Sequence, residues 1–235
     1  MRGRTVAICL TVLFAVTGCG KVVSGTPAPD PVVAKMPRLT PDKISDVLLT
    51  TDDVGKIVAS TTLTQKFENT VPTAPNFTYA PTQCAPMMYT ADSDTYGDKW
   101  NGFRLRSMQE SGDNYQHAIY ETVATFKNFL VAEALVHQYQ GVLAQCKDQD
   151  VTNTPKDATK DKPAVLHVNA VTHNTDPTAV SADWTVSSTG STWVCSDTMR
   201  TQGNAIIEVS SCSYADARTS AIITDRIAAK IRQQN

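Results

Sequence analysis

Four cysteines in the body of the chain do most to limit how it can fold. Cys84, Cys146, Cys195 and Cys212 all follow an N-terminal segment that is typical of exported proteins. Because an exported chain folds in an oxidising compartment, an even number of cysteines predicts two disulfides. A metal site would need closely spaced cysteine pairs or neighbouring histidines, and the sequence has neither, so no metal is predicted. The number of cysteines alone allows three pairings.

The local pattern around two of the cysteines favours one pairing. Residues 193–197 and 206–212 both have the composition of strands, and Gln202-Gly203-Asn204 offers a turn between them. In such a hairpin Cys195 and Cys212 lie nearly opposite each other, at the Cα separation of about 5.5 Å that a disulfide favours. This arrangement leaves Cys84 to pair with Cys146.

The first 18 residues are typical of a removable signal peptide. Arg2 and Arg4 give a positive start, and residues 6–16 form an apolar run that is too short to span a bilayer. The next residues, Val16-Thr17-Gly18-Cys19, resemble the bacterial lipobox, in which the cysteine receives a diacylglycerol and becomes the new N-terminus. We therefore predict that Cys19 is lipidated, with acyl chains such as palmitate anchoring the protein to the outer face of the plasma membrane. The alternative is a plain secretory cleavage site.

The segment after Cys19 predicts a tether rather than part of a folded core. Residues 20–37 contain four prolines and mostly small residues, so 19–37 is interpreted as the lipidated cysteine and a Pro-rich linker, and 38–235 as a single domain. Removing residues 1–18 takes two of the 21 basic residues and none of the 23 acidic ones, which leaves a net charge of −4. This balance argues against nucleic-acid binding, which needs a basic surface. No apolar run of about 18 residues follows, so no membrane-spanning helix is predicted.

The order of hydrophobic patterns predicts an α+β domain. Alternation before and after a turn near Ser111 predicts a hairpin, and helical spacing over 125–145 predicts a long helix. Two short helices are expected near Thr40 and Thr51. Other predicted segments are a loop with at most one edge strand at 63–81, a solvated loop at 147–163, strands at 164–173, 180–186, 192–199 and 204–211, and a helix from Ser213 or Asp216 to Ile231. We expect one twisted antiparallel sheet with helices packed on one face, and a cleft.

Several short motifs make the sequence similar to a known family. They are Leu48–Val54, Cys84-Ala85 before the Trp100–Arg106 strand, Val123–Phe126, and the run Trp193-Val194-Cys195, Gly203–Val209 and Cys212. Together they resemble the PknH-like extracellular sensor domain, which occurs in a mycobacterial receptor serine/threonine kinase and alone in mycobacterial lipoproteins. The likeness extends from about Arg38 to Gln233.

The resemblance to this family predicts features of the fold and of the disulfides. It implies a single α+β domain with a large ligand-binding cleft and the disulfides Cys84–Cys146 and Cys195–Cys212, which agrees with the hairpin argument. One position departs from the family pattern. Leu143 stands where the family commonly has a tryptophan three residues before the second cysteine, so a core or cleft contact is expected to differ there.

The sequence lacks the motifs of the common hydrolase and phosphate-binding sites, so we predict neither an enzyme nor a cofactor. The run Asp92–Asp98 begins like a calcium loop. However, Tyr96 replaces an oxygen ligand, and Phe103 stands where the last glutamate should be. We therefore interpret this run as a polar surface turn.

Four residues are candidates for contacts in the cleft. Trp100 and Tyr115 are aromatic side chains on predicted strands, and Arg104 and Arg106 share one strand face where they could contact an anion or a polar head group. The favoured hypothesis is a lipid-anchored binding or sensing domain for an unknown small molecule or envelope component. The alternatives are an envelope protein–protein interaction module and, less favoured, a hydrolase with an unrecognised site.

Overall fold

The structure, a computed structural model, describes residues 36–112, 114–159, 162–174, 181–214 and 219–234. The predicted signal peptide, Cys19 and residues 20–35 of the predicted tether lie outside these ranges. Within the described ranges, no helix has the length and apolar character that crossing a membrane requires.

Strands account for much of the described chain. They are β1 (Leu63–Asn69), β2 (Phe77–Ala80), β3 (Trp100–Glu110), β4 (His117–Phe126), β5 (Asp150–Pro155), β6 (Ala164–Asn174), β7 (Ser181–Ser188), β8 (Val194–Gln202) and β9 (Ala205–Ser213). The α-helices are α1 (Ile44–Val47), α2 (Thr51–Val58), α3 (Ser93–Tyr96), α4 (Phe129–Cys146) and α5 (Thr219–Gln233), with 3-10 turns at Pro41–Lys43 and Thr82–Met87.

These strands form one antiparallel sheet in the order β1-β3-β4-β9-β8-β7-β6-β5-β2. The predicted β3–β4 hairpin and the four-strand meander from β6 to β9 are confirmed. The tight β8–β9 turn uses Gly203 at a φ of +58°. An added Cβ would lie 1.7 Å from the carbonyl oxygen of Pro37, so glycine is required there.

The single α+β domain is confirmed, but helices cover both faces of the sheet and not one. Helix α4 packs on one face, in a cluster that includes Phe103 and Ile206. Helices α1, α2 and α5 pack on the other face, in a cluster that includes Ile119 and Ile207. The reason is visible in β9, where all nine residues are buried and the adjacent Ile206 and Ile207 point to opposite faces.

Two segments predicted as loops contain strands. Residues 63–81 hold both β1 and β2, and residues 147–163 hold β5. These three strands lie at or next to the sheet edges, where most of their side chains remain exposed, so they lack the apolar alternation that identifies a strand in sequence.

Two predicted helix starts also differ from the structure. The long helix begins at Phe129 and not at 125, because residues up to Phe126 continue β4, and the Asn128 side chain accepts a hydrogen bond from the Val131 amide at 3.2 Å. At the C-terminal helix, the predicted cap Ser213 belongs to β9 and Asp216 lies outside the described residues.

The two disulfides are Cys84–Cys146 and Cys195–Cys212, the pairing that the hairpin argument and the resemblance implied. The first joins the Thr82–Met87 turn to the end of α4. The second joins directly opposed positions of β8 and β9. Both disulfides and both hydrophobic clusters lie within residues 39–231, so this segment holds the core that the described residues form.

Candidate functional site: a cavity enclosed by the curved sheet

The two edge strands of the sheet are close neighbours in sequence. Only residues 70–76 separate β1 from β2, yet β1 and β2 occupy opposite edges. At about 4.8 Å between strands, a flat nine-stranded sheet would place its edges about 38 Å apart. The eight steps from Asn69 to Phe77 reach at most about 29 Å. The sheet must therefore curve so that its edges approach each other.

A cavity of about 450 Å³ lies on the α4 side of this curved sheet. Its volume is within the usual range for small-molecule sites, about 300–1,000 Å³. Every strand contributes to its wall: Phe67 from β1, Phe77 and Tyr79 from β2, Leu105 from β3, Tyr120 from β4, Asn153 from β5, Leu166 from β6, Val186 and Ser188 from β7, Cys195 and Asp197 from β8, and Ser210 and Cys212 from β9. The lining is mostly apolar and aromatic, and the Cys195–Cys212 disulfide is part of it.

Residues 87–90 close one side of the cavity and are held by neighbouring elements. The indole nitrogen of Trp184 donates to the Met87 carbonyl at 3.1 Å, and the Tyr139 hydroxyl donates to the Pro86 carbonyl at 2.6 Å. The Cys84–Cys146 disulfide fixes the same segment to α4. These contacts tie the wall to β7 and α4.

The cavity contains one buried acidic group. Asp197 lies directly opposite Ser210 in the sheet register, and its carboxylate accepts a hydrogen bond from the Ser210 hydroxyl. Burial raises the pKa of Asp197 to about 8; the hydrogen bond opposes this shift, and the nearby charge of Glu208 adds to it. At neutral pH the carboxyl group is therefore mainly protonated. It offers a neutral hydrogen-bonding group in an apolar wall.

A second carboxyl group lies beside the cavity. The Tyr96 hydroxyl and the Ala91 amide donate to the same oxygen of Glu208, at 2.8 and 3.0 Å. Burial raises the pKa of Glu208 to about 7. General acid–base catalysis by two carboxyl groups relies on environments that push their pKa values apart. Here the pKa values of Asp197 and Glu208 both rise, and within the described ranges no lysine, arginine or histidine lines the cavity. The two carboxyl groups therefore respond to burial in the same direction.

Three of the four residues predicted to line the cleft lie elsewhere. Trp100 packs on Phe103, and its indole nitrogen donates to the Gly97 carbonyl at 3.0 Å. Arg104 and Arg106 lie on the opposite face, where both contact Glu68, at 3.4 and 3.1 Å. Strand alternation explains this placement, because Leu105 points into the cavity and its neighbours therefore point away.

Tyr115 is the one predicted residue near the cavity. It lines a second hollow of about 530 Å³ with Asn114, Gln116, Ser188, Ser191, Trp193 and Tyr214. Its ring lies 5.5 Å from that of Trp193 in an edge-to-face arrangement, and Trp193 lies 4.7 Å from Tyr214. Ser188 and Trp193 line both hollows, so the two spaces adjoin.

Two other sequence features have structural roles. Asp92, in the run that resembles a calcium loop, caps α3 and accepts hydrogen bonds from the amides of Asp94 and Thr95. Leu143, at the position that departs from the family pattern, is fully buried in the α4 cluster and does not line the cavity. The departure therefore affects the core and not the cavity wall.

Comparison with known proteins gives consistent results. The sequence model of a family described as PknH-like extracellular domain matches residues 39–230. Serine/threonine-protein kinases PknH from Mycobacterium bovis and Mycobacterium tuberculosis are each 23% identical over 207 residues, which is 88% of this chain. The chain spans about a third of the length of these relatives, 33% and 32% respectively. The crystal structure of the extracellular domain of PknH from M. tuberculosis superposes with a TM-score of 0.75 at 20% identity, covering 83% of this chain and 98% of that one.

Proposed function

Because the chain belongs to the PknH-like extracellular domain family, we propose that it is an extracytoplasmic binding protein whose curved sheet holds a small apolar or amphiphilic ligand. One observation carries the proposal: every strand contributes a side chain to one mostly apolar cavity of about 450 Å³. An apolar ligand bound there would remove its own apolar surface and that of the cavity wall from water. Each Å² of apolar area buried in this way contributes about 25 cal/mol to the binding free energy. The protein acts as a binding or sensing domain and not as an enzyme.

The location of this binding protein rests on its N-terminal sequence. The signal peptide and the lipobox-like Val16–Cys19 support anchoring by acyl chains at the outer face of the plasma membrane, with residues 20–37 as tether. Cys19→Ala is expected to give an unlipidated precursor, detected by loss of lipid labelling and by mass. A Cys19→Ala protein that still carries lipid would contradict the anchor.

Native mass spectrometry of the protein from its own envelope tests the ligand. We expect one co-purified small molecule per chain, which disappears in Ser188→Trp because the indole would fill the space that both hollows share. Ser187→Trp is the matched control, since the neighbouring side chain points away from the cavity and accepts a hydrogen bond from Asn169 at 3.0 Å. Protein with no bound molecule, or with the same molecule in Ser188→Trp, would contradict the proposal.

A further inference from the structure

The two adjoining hollows differ in chemistry. The first is walled mainly by apolar and aromatic side chains. The second is lined by three aromatic rings, two amides and two hydroxyls, and none of the described residues that line it is charged. Because Ser188 and Trp193 belong to both linings, one molecule can occupy both spaces at once. Such a molecule needs an apolar part and a polar part joined end to end.

The second hollow is suited to a neutral, hydroxyl-rich group. The side-chain amides of Asn114 and Gln116 can each donate and accept hydrogen bonds, as can the Ser191 hydroxyl. Hydroxyl groups of a sugar would match both roles. A phosphate or carboxylate is held most strongly by arginine or lysine, and among the described residues neither lines the hollow. A quaternary ammonium could stack on the rings, but it has no hydrogen-bonding group to offer the amides.

The aromatic rings add a surface for the carbon face of a sugar. Trp193 lies between Tyr115 and Tyr214, with ring centroids 5.5 and 4.7 Å away. Tyr214 is 53% exposed even though it is aromatic, so it presents ring surface to whatever enters the hollow. Rings of this kind offer an apolar face and a polar tip together.

We propose that the ligand is a glycolipid-like amphiphile, with its alkyl chain in the first cavity and a neutral sugar head group against Tyr115, Trp193 and Tyr214 in the second. This inference rests on the proposed binding function and specifies the class of ligand. The sugar head group lies in the second hollow, beside the exposed Tyr214. The alkyl chain lies in the first cavity, between the sheet and residues 87–90.

The test compares decyl maltoside, decyl phosphate and decyltrimethylammonium by calorimetry, each below its micelle concentration. The protein used is residues 36–235, which contain both disulfides and both hydrophobic clusters. We expect the maltoside to bind at least about tenfold more tightly than either charged probe. Lengthening the chain from octyl to decyl should tighten binding about three- to fourfold per methylene.

Two variants separate the head group from the chain. Tyr214→Ala should weaken maltoside binding about three- to tenfold and leave decyl phosphate binding unchanged, because an anionic head group gains nothing from the ring face. Ile222→Ala removes an apolar side chain of similar exposure outside both hollows, and it should change the binding of neither probe. Equal binding of all three probes, or equal weakening of all three by Tyr214→Ala, would overturn the sugar assignment and leave the binding cavity standing. Absence of binding by every probe would overturn both.

Discussion

Phe67 on β1 and Phe77 on β2 line the same cavity although their strands form opposite edges of the sheet. The short connection through residues 70–76 makes this possible, because it prevents the edges from moving apart. Phe67 remains 43% exposed, and its ring centroid lies 6.5 Å from that of Tyr120. The curvature of the sheet is thus linked to the shape of the cavity.

Lengthening that connection should weaken ligand binding. Six Gly/Ser residues inserted after Val71 would allow β1 and Phe67 to move away from the cavity, and we expect the affinity for 1-decanol to fall about three- to tenfold. The same insertion after Asp157, in the exposed loop that follows β5, serves as the control and should have no effect. Unchanged affinity in the first variant would show that the connection does not maintain the curvature.

The two disulfides should differ in their contribution to stability. They close loops of 62 and 17 residues, for which chain entropy predicts stabilisation of about 4 and about 3 kcal/mol. We therefore expect the Cys84→Ser/Cys146→Ser variant to lose more free energy of unfolding in urea than the Cys195→Ser/Cys212→Ser variant. The reverse order would mean that cross-strand bonding in the cavity wall matters more than loop length.

Glu121 should make the protein less stable at high pH. The Leu49 amide donates to one of its oxygens at 3.2 Å, and within the described ranges the other oxygen is buried without a hydrogen-bond partner. Burial raises the pKa of Glu121 to about 8. The folded state therefore binds a proton that the unfolded state releases above its ordinary pKa of 4.5, and stability falls as pH rises from about 4.5 to 8.

Glu121→Gln should remove this part of the pH dependence, because the amide oxygen can still accept from Leu49 and carries no charge. Urea unfolding at pH 5 and pH 8 measures the effect, up to about 1.4 kcal/mol per pH unit. Glu133→Gln, at a partly exposed position on α4, is the control. A variant with the full pH dependence of the parent would contradict a buried, protonated Glu121.

Asp197 should couple ligand binding to pH. An apolar ligand would take more water from this carboxyl group, so binding favours its neutral form and should weaken as pH rises through about 8. We expect the affinity for 1-decanol to fall between pH 6 and pH 9.5, and Asp197→Asn to bind with much less pH dependence. Binding that is equally strong at both pH values in the parent protein would exclude a role for this ionisation.

Sequence reasoning identified the parts of the fold with strong periodicity. The β3–β4 hairpin, α4 and the strands from β6 to β9 carry long apolar patterns, and the Cys195–Cys212 pair follows from a two-residue turn. The edge strands β1 and β2 and the neighbouring β5 are weakly marked in the sequence, because few of their side chains are buried. The sequence did not predict helices on both faces of the sheet. The serines of β9 are buried in the structure, but serines in a strand suggest a face exposed to solvent.

The site was harder to predict than the fold. A cavity shared by nine strands depends on the curvature of the sheet, and no local pattern encodes that curvature. Arg104 and Arg106 are paired charges in the sequence, but their alternation with Leu105 places them on the other face of the sheet. Two signals were available in the sequence: Asp197 lies two residues from Cys195, and Ser210 two residues from Cys212, so all four side chains share one face of the hairpin.

Methyl NMR with 1-decanol is the most direct test of the cavity as a binding site. We expect saturable shifts for Met87, Leu105 and Leu166, which line the cavity, and none for Ile223, Ile227 and Ile231, which pack on the opposite face. Shifts spread evenly over both groups, or confined to the isoleucines of α5, would contradict binding inside the curved sheet.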